Sequence, residues 1–273
     1  MGTPMSTQLV KAGYEVMVYN RSKHKEESLQ NIGAKTASTP AELMQSSDMI
    51  FIMVSDDKAI SEIFTEKDGL LSARTANRII VNMSTVSPVI SREMASLCLK
   101  QGNHYLDAPV SGSVKQAQDG QLVIMAGGEQ NVFETVKPVL DKIGKLTIKV
   151  GEVGAGNSAK LAINALLGIF AQGLAEAVVF AQNNSIKKED FFALINNSAL
   201  GSAFSKIKGD AIINNNYKAA FALKHIVKDL KLAKAQGLST PLGNTSLQNF
   251  EKAKDLYGEE DIIAIIKLFI EGI

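Results

Sequence analysis

A lysine and an asparagine stand four residues apart in a segment that could carry proton chemistry. Lys160 and Asn164 follow a glycine-broken turn over residues 154–157 and open an apolar run that predicts a long helix. Residues four apart share one helix face, so the ammonium and the amide point the same way. A lysine beside a reacting carbonyl can protonate the oxygen as it becomes an alkoxide. The alternative is structural: Lys160 lies at the solvent-exposed edge of the helix, and Asn164 forms a hydrogen bond with a backbone group.

A second segment with chemical potential ends in Ser111-Gly112, after Asp-Ala-Pro-Val at residues 107–110. A hydroxyl followed by glycine can present an O–H and successive backbone N–H groups to a carboxylate, because glycine lets the anion approach the main chain. A third polar stretch covers residues 221–230. Taken alone, these two stretches also fit an ordinary Ser-Gly turn and an amphipathic helix with solvated lysines.

Alternating strands and helices must position these residues in the first part of the chain. Strands are predicted over residues 14–19, 49–54, 78–83, 104–108, 121–126 and 147–150, and helices over 1–12, 23–32, 58–65 and 87–101, with a capped helix start at 39–42. This alternation predicts a doubly wound, mostly parallel sheet of the α/β class. Ligands of such sheets bind beyond the carboxyl ends of strands, where Asn20, Ser55, Thr85 and Ser111 fall.

The end of the strand over residues 14–19 indicates which dinucleotide would bind. In a βαβ nucleotide-binding unit, an acid at this position selects a free 2′-hydroxyl, whereas an arginine accommodates a 2′-phosphate. Asn20 and Arg21 stand here, with no acid. The sequence therefore favours NADP over NAD. Such a unit should open with a strand and a G-x-G-x-x-G turn, of which only Gly2 could remain.

No strand pattern follows residue 150. One helix is predicted over residues 157–182, about 26 residues and roughly 39 Å long, too apolar around its circumference for a surface helix. It should lie inside an all-helical domain, in a dimer interface, or both. Further helices are predicted over residues 187–197, 205–214, 223–236, 241–256 and 261–272. We therefore expect a sheet domain over residues 1–152 and an all-helical domain over 153–273.

Composition narrows the classes of partner. With 29 Lys+Arg against 28 Asp+Glu the net charge is +1, which offers no electrostatic case for nucleic acid or an acidic membrane. Cys98 is the single cysteine, and the three histidines lack metal-ligand spacing, so we expect no metal site. No uninterrupted apolar run reaches membrane length, and the N-terminus is unlike a signal peptide. We expect a soluble cytoplasmic protein with a small-molecule substrate.

Together these stretches resemble one family, the β-hydroxyacid dehydrogenases of the 3-hydroxyisobutyrate dehydrogenase-like type, related to 6-phosphogluconate dehydrogenase. The resemblance covers essentially the whole chain. It is carried by residues 1–2 with Met5, 20–21, 82–85, 107–112, 154–157 with Lys160 and Asn164, and 228–230. Residues 109–113, 119–122 and 223–225 are most similar to the NADPH-dependent glyoxylate and succinic semialdehyde reductase branch. The resemblance implies a Rossmann-like domain, a helical substrate and oligomerisation domain, and a homodimer or homotetramer.

The same resemblance implies roles for individual residues. Lys160 would protonate the carbonyl oxygen of a carboxylate-bearing aldehyde while hydride arrives from NADPH, and Asn164 would orient it. The residues implied in substrate binding are Ser111, Gly112, Thr85, Phe221 and Asp229. Those implied in cofactor binding are Gly2, Asn20, Arg21, Ser22, Val54, Ser55, Thr85 and Lys228.

The chain departs from the family at its front, where about ten residues are absent, including the first strand and two glycines of the phosphate turn. That strand is normally central, so its loss would leave two neighbours unpaired and the pyrophosphate without most of its cradle. We expect the gene product to begin upstream of Met1, and the chain as given to bind NADP weakly or not at all. Two alternatives stay open: an imine reductase, although such relatives usually replace the lysine at Lys160, and a truncated, catalytically weak member that acts in binding or assembly.

Overall fold

The computed structural model of the protein describes residues 1–271, with side chains described up to residue 270. Contacts divide the chain into two compact units, Met1–Lys160 and Leu161–Ile273. The predicted boundary at residue 152 lies earlier than this division. The reason is that the first turn of the long helix packs with the sheet unit before the helix continues into the second unit.

The first unit alternates strands and helices. Its strands are β1 (Met17–Val18), β2 (Lys35–Thr36), β3 (Met49–Ile52), β4 (Ile79–Asn82), β5 (His104–Asp107), β6 (Val110–Ser111), β7 (Leu122–Gly127) and β8 (Gly144–Gly151). Its helices are α1 (Gly2–Lys11), α2 (Glu27–Gln30), α3 (Pro40–Ser46), α4 (Asp57–Thr65), α5 (Pro88–Lys100), α6 (Val114–Gln118) and α7 (Gln130–Leu140). Strands β3, β4 and β5 are parallel, as are β7 and β8, whereas β7 runs antiparallel to β5 and β6. The predicted Rossmann-like, mostly parallel sheet is confirmed.

Local sequence explains why these elements form where they do. Strand β4 is apolar on both faces, with Ile80 and Val81 fully buried, as expected for a parallel strand covered by helices. Helix α5 begins at Pro88, which is tolerated in a first turn, after Ser87 caps the amide of Ile90. Cys98 lies on the buried face of α5, and burial raises the pKa of its thiol to about 12, so it packs as an apolar residue.

The sheet is interrupted between β1 and β3. Strand β1 pairs with β2 and strand β3 pairs with β4, each on one side. A cavity of about 550 Å³ separates their other edges and is lined by side chains of both strands, among them Met17 and Phe51. The N–H groups of Ile79 and Met83 donate to the carbonyls of Asp48 and Ile52, so the backbone groups of alternate residues in β3 face this cavity. The two unpaired neighbours predicted from the sequence are therefore present.

Four elements of the first unit escaped the sequence prediction: β2, β6, α6 and α7. Helix α7 carries buried Val132, Val136 and Leu140 at helical spacing, but Pro138 lies within it and obscured the pattern. The single helix predicted over residues 23–32 is a 3₁₀ turn at Lys23–Lys25 followed by α2. Strand β1 is shorter than the strand predicted over residues 14–19, because only β2 pairs with it and only along one edge.

The second unit is helical, as predicted. It contains α8 (Ala155–Asn183, beginning in the first unit), α9 (Lys188–Asn196), α10 (Ala203–Ile213), α11 (Leu223–Ala235), α12 (Pro241–Tyr257) and α13 (Ile266–Glu271), with a 3₁₀ turn at Ile262–Ile265. Buried apolar side chains from these helices, such as Phe192, Ile226 and Phe250, form one core. The helix predicted over residues 261–272 is the turn plus α13, and Gly272 lies outside the described residues.

Helix α8 is both long and apolar. Among residues 1–271 it is the one helix that is long and apolar enough to cross a membrane by length and composition. Its apolar stretch is interrupted by Gln172 and Glu176, in agreement with the prediction that no uninterrupted apolar run reaches membrane length. Core helices of globular proteins pass the same test. Within the most apolar 18-residue stretch of α8, only 44% is buried inside the protein. Leu166, Phe170 and Phe180 expose apolar side chains. The described residues thus leave one apolar face of α8 uncovered.

Candidate active site

The first turn of α8 is held by a carboxylate from β5. Asp107 Oδ1 accepts the N–H of Gly154 and its Oδ2 accepts the N–H of Asn157, both at 2.7 Å. The first N–H groups of a helix have no intrahelical acceptor, so a distant carboxylate serves as a cap. Burial raises the pKa of Asp107, while these backbone hydrogen bonds act in the opposite direction. A Cβ at Gly156 would lie 2.4 Å from the carbonyl oxygen of Met125, so only glycine allows this close approach.

Lys160 and Asn164 lie one turn apart on α8, as the sequence predicted. Both side chains are buried, with 9% and 2% of their surfaces exposed. An ammonium group is seldom this buried unless it has polar partners. The interpretation of Lys160 as a solvated rim lysine is therefore excluded by its burial.

Asn164 is oriented by an acid on a neighbouring helix of the second unit. Its Nδ2 donates to Asp229 Oδ2 at 2.5 Å, and Asp229 is 3% exposed. Lys228 Nζ lies 3.0 Å from Asp229 Oδ1, close enough for an ion pair but not aligned as a hydrogen bond. Because its amide nitrogen faces Asp229, the amide oxygen of Asn164 is left for another donor.

Phe221 lies at the start of α11 and is held by a buried ion pair. Asp261 Oδ2 accepts the N–H groups of Ala220 and Phe221, and its Oδ1 accepts from Lys208 Nζ at 2.7 Å. The ring of Phe221 packs against His225, with 6.1 Å between ring centroids. Burial, followed by the charge of a neighbouring lysine, lowers the pKa of His225. This part of α11 therefore presents two uncharged rings at neutral pH.

Ser111 and Gly112 end β6 and precede α6. Ser111 pairs with Val123 of β7, so it belongs to a short antiparallel strand and not to a simple turn. Gly112 has φ +139°, and a Cβ there would lie 2.8 Å from Leu122 Cδ2. The position thus requires glycine, as expected where main-chain N–H groups must stay open to an anion.

Thr85 lies in the loop after β4, in the stretch that links the sheet to α5. Its side chain is partly exposed, whereas its neighbours Ser84 and Val86 are buried. Ser84 Oγ accepts the N–H of Val54 at 2.9 Å, which joins this loop to the end of β3. Ser55 is exposed beside it. Thr85, Val54 and Ser55 are therefore brought to the carboxyl ends of adjacent parallel strands, where ligands of such sheets bind.

The predicted adenosine end forms a compact turn after β1. Asn20 donates its N–H to Glu26 Oε1 at 2.6 Å and accepts the N–H of Ser22 on Oδ1 at 2.9 Å. The side chain of Arg21 is 90% exposed, with its guanidinium 4.0 Å from Glu62. An exposed guanidinium on a hydrogen-bonded turn suits a phosphate. The acid in this turn, Glu26, is buried and already engaged by Asn20 and Lys23.

Gly2 begins α1, whose N-terminus has no side-chain cap. Uncapped N–H groups at a helix N-terminus suit a pyrophosphate. A Cβ at Gly2 would meet only Met53 Cβ, at 4.0 Å, so nothing in its packing requires glycine. Of the predicted cofactor residues, Gly2 has the weakest structural support.

Comparison with known proteins identifies the family. Residues 1–154 match the NAD binding domain of 6-phosphogluconate dehydrogenase, and residues 154–269 match the NAD-binding region of NADP-dependent 3-hydroxyisobutyrate dehydrogenase. Glyoxylate/succinic semialdehyde reductase 2 of Arabidopsis thaliana, a chloroplastic protein, is 33% identical over 273 residues, covering 98% of this chain and 76% of the relative. The chain belongs to the NAD(P)-dependent hydroxyacid dehydrogenase family.

Two further proteins are similar to this hydroxyacid dehydrogenase. The 3-hydroxyisobutyrate dehydrogenase of Salmonella typhimurium superposes with a TM-score of 0.88 at 26% identity, covering 98% of this chain and 96% of that one. The cytokine-like nuclear factor N-PAC of Anopheles gambiae is 33% identical over 270 residues, covering 97% of this chain but 48% of the relative. The chain thus spans about half the length of the N-PAC relative.

The residues present fit a dinucleotide at several points. Arg21 suits a phosphate, the N-terminus of α1 suits a pyrophosphate, and the Thr85 loop lies at the carboxyl edge of the sheet. Among residues 1–271, no group of three or more His, Cys, Asp and Glu could hold a metal ion. The absence of a metal from the catalytic site stays a prediction.

Asp107 and Asn157 lie in motifs that carry the family resemblance, but the sequence predicts no role for them, and it does not predict the Lys208–Asp261 pair. Each acts through hydrogen bonds to residues 40 or more positions away in the chain. The available signal was an acid at the end of an apolar strand or at the start of a helix, where a buried carboxylate needs donors. Such an acid does not indicate which residues donate hydrogen bonds to it in the folded protein.

Proposed function

We propose that this dehydrogenase reduces small carboxylate-bearing aldehydes, such as glyoxylate or succinic semialdehyde, to the corresponding hydroxyacids with NADPH. The observation that carries the proposal is the buried Lys160 ammonium one helical turn from Asn164, whose amide is oriented by Asp229. A buried ammonium on a rigid helix is suited to a group that must give up a proton at a defined place. The 33% identity to the Arabidopsis thaliana reductase supports the substrate class.

In this proposal, Lys160 acts as general acid. NADPH, when bound, supplies the hydride that forms the new C–H bond at the carbonyl carbon. Lys160 Nζ gives a proton to the carbonyl oxygen, so the product is an alcohol and the lysine is left neutral until it regains a proton from solvent. In the reverse direction, neutral Lys160 accepts the hydroxyl proton. In this proposal the amide oxygen of Asn164 accepts a hydrogen bond from Lys160 Nζ, which orients the proton donor toward the carbonyl oxygen.

Other predicted residues bind the two ends of the reactants. Ser111 and the N–H group of Gly112 bind the substrate carboxylate, because Gly112 leaves the main chain accessible to an anion. Arg21 pairs with the 2′-phosphate of NADPH through its exposed guanidinium, and this charge pair is the basis for preferring NADPH to NADH.

The experiment follows NADPH oxidation by absorbance with glyoxylate and succinic semialdehyde, in the wild type and two lysine variants. Lys160→Ala is expected to lower kcat at least about 100-fold while NADPH binding changes little, because it removes the proton donor. Lys100→Ala is the matched control, since Lys100 is an exposed helical lysine at the end of α5. A wild-type rate in Lys160→Ala, measured at saturating NADPH, would refute the assignment of the acid.

The uncovered face of α8 supports the second part of the proposal, a homodimer or homotetramer. Leu166 and Phe180 are 67% and 70% exposed, which is unusual for two large apolar side chains on one helix. Sedimentation should show an oligomer that Leu166→Glu weakens. If the wild type sediments as a monomer and floats with lipid vesicles, the face binds membrane, and the oligomer and the predicted cytoplasmic location are both wrong.

A further inference from the structure

We propose that Asp107 and Asn157 are positioning residues, which hold the first turn of α8, and with it Lys160, in a set place relative to the loop of Thr85. This inference rests on the proposed function, because it gives Lys160 the role of proton donor. The pair acts on the reaction through the helix and touches no reacting atom itself.

Asp107 caps the first turn of α8. Asp107 ends β5, and its two carboxylate oxygens accept the N–H groups of Gly154 and Asn157 at 2.7 Å each. An acid at a helix N-terminus is favoured both by these hydrogen bonds and by the helix dipole. Strand β5 is internal to the sheet, between β4 and β7, so the anchor point itself cannot move readily. The start of α8 is thereby fixed to the sheet.

Asn157 links the first turn of α8 to the loop after β4. Asn157 is fully buried, its Oδ1 accepts the N–H of Val86 at 3.0 Å, and its Nδ2 donates to Ser91 Oγ at 3.2 Å. Val86 directly follows Thr85, and Lys160 lies three residues after Asn157 on the same side of α8. One side chain therefore connects the backbone beside Thr85 to the helix turn that carries Lys160.

Two glycines pack closely against Asp107. A Cβ at Gly127 would lie 2.5 Å from Asp107 Oδ1, and a Cβ at Gly156 would lie 2.5 Å from the carbonyl oxygen of Asp107. Glycines at these two positions let the backbone close over the carboxylate. Because Asp107 is fully buried, water cannot take over its hydrogen bonds if the carboxylate is lost.

Asp107→Asn is the sharpest test, because it preserves shape but replaces one acceptor by an NH₂ group. The amide can accept one backbone N–H, and its NH₂ then faces the other, so two donors meet and the turn must shift. We expect kcat to fall about 10- to 100-fold, as a displacement near 1 Å can cause, while the Kd of NADPH stays within about threefold. Asp141→Asn is the control: Asp141 is a partly exposed acid paired with Lys137, away from this anchor.

Two readouts separate positioning from a purely structural role. In Asp107→Asn, kcat should fall while KM for the aldehyde stays near the wild-type value, because the proton donor is displaced and the residues that bind the substrate are not, whereas lost stability alone would leave kcat per folded molecule unchanged. Amide hydrogen exchange should become faster at Gly154 and Asn157 in Asp107→Asn but not in Asp141→Asn. If Asp107→Asn does not fold, Asn157→Ala is tested in its place: it keeps the cap and removes the acceptor of the Val86 N–H, so kcat should fall and amide exchange should become faster at Val86.

The outcomes are distinct. Faster exchange at the α8 start, reduced kcat and unchanged NADPH affinity support the positioning role. Unchanged exchange, or a kcat within twofold of the wild type in both variants, overturns it. A wild type that binds NADPH but reduces neither aldehyde refutes the proposed function, while the exchange comparison still decides whether Asp107 holds the helix.

Discussion

Replacing Asn164 by aspartate should give a protein whose stability and activity both rise as the pH falls. Asn164 Nδ2 donates to Asp229 Oδ2 at 2.5 Å, and both side chains are buried. The substitution keeps the shape of the side chain but puts a second carboxyl against Asp229. Two carboxylates this close cannot both stay ionised, so the pair must share a proton.

The magnitude follows from comparing two costs. Two unit charges 2.5 Å apart repel by on the order of 7 kcal/mol at an effective dielectric of about 20. Holding a proton at pH 7 on a carboxyl with an unperturbed pKa of about 3.9 costs about 4 kcal/mol, at about 1.4 kcal/mol per pH unit. Protonating one carboxyl costs less free energy than the repulsion between two carboxylates, so the pair takes up a proton at pH 7. The Lys228 ammonium, 3.0 Å from Asp229 Oδ1, offsets part of the repulsion, so about 4 kcal/mol is an upper bound.

The sign is set by linkage. The introduced carboxyl has a higher pKa in the folded protein than in the unfolded chain, so the folded state binds more protons at neutral pH and loses stability as the pH rises. Asn164→Asp should therefore be close to the wild type near pH 4. By pH 7 its free energy of unfolding should be lower by up to about 4 kcal/mol.

Urea unfolding of Asn164→Asp and the wild type at pH 5, 6, 7 and 8 measures this difference. The control is Asn184→Asp, which introduces the same charge at an exposed asparagine just after α8. NADPH-dependent turnover of Asn164→Asp should also gain an acidic optimum, because the protonated pair restores the hydrogen bond to Asp229. A destabilisation that is the same at pH 5 and pH 8 would show that the two side chains do not meet, and the reasoning would fail.

Three further predictions follow from single contacts. Arg21→Gln should raise KM for NADPH about tenfold and leave KM for NADH unchanged in steady-state assays, because it removes a charge-assisted phosphate contact; equal effects on both cofactors would contradict the assigned phosphate site. In amide exchange followed by NMR, Phe51 should exchange faster than Ile50, since its N–H faces the cavity beside β3; equal protection would mean that this edge is covered. Lys208→Met should lower the free energy of unfolding by about 3–5 kcal/mol in urea titrations, because it leaves Asp261 buried without its cation; a loss below about 1 kcal/mol would show that the backbone N–H groups suffice.

Much of the fold could be predicted because periodicity is a local property. Helix α8 was predicted from its apolar run and is observed over Ala155–Asn183, and β3, β4 and β5 each lie within a predicted strand. The one-turn spacing of Lys160 and Asn164 also follows from the sequence alone. The elements that escaped were short or irregular: β2 and β6 have two residues each, and α7 contains Pro138. Such segments carry too few periods for a pattern to emerge.

The candidate site was predicted in its residue types but not in its contacts. Thr85, Ser111 and Arg21 were singled out from their places near predicted strand ends, and the structure brings them to such places. The role of Asp107 could not be predicted, because an acid at a strand end has the same sequence signature whether it faces water or caps a helix 47 residues later.

The amino-acid sequence by itself determined the alternation of strands and helices, the polar turn at Asn20-Arg21, and a lysine and an asparagine on one helix face. These features depend on neighbours within a few residues, where backbone geometry leaves little freedom. Only the tertiary structure decided that Lys160 is buried and not solvated, and that Asn164 meets Asp229 across 65 residues of chain. Burial and long-range hydrogen bonds depend on which elements pack together, and that information is shared among distant residues and absent from any one segment.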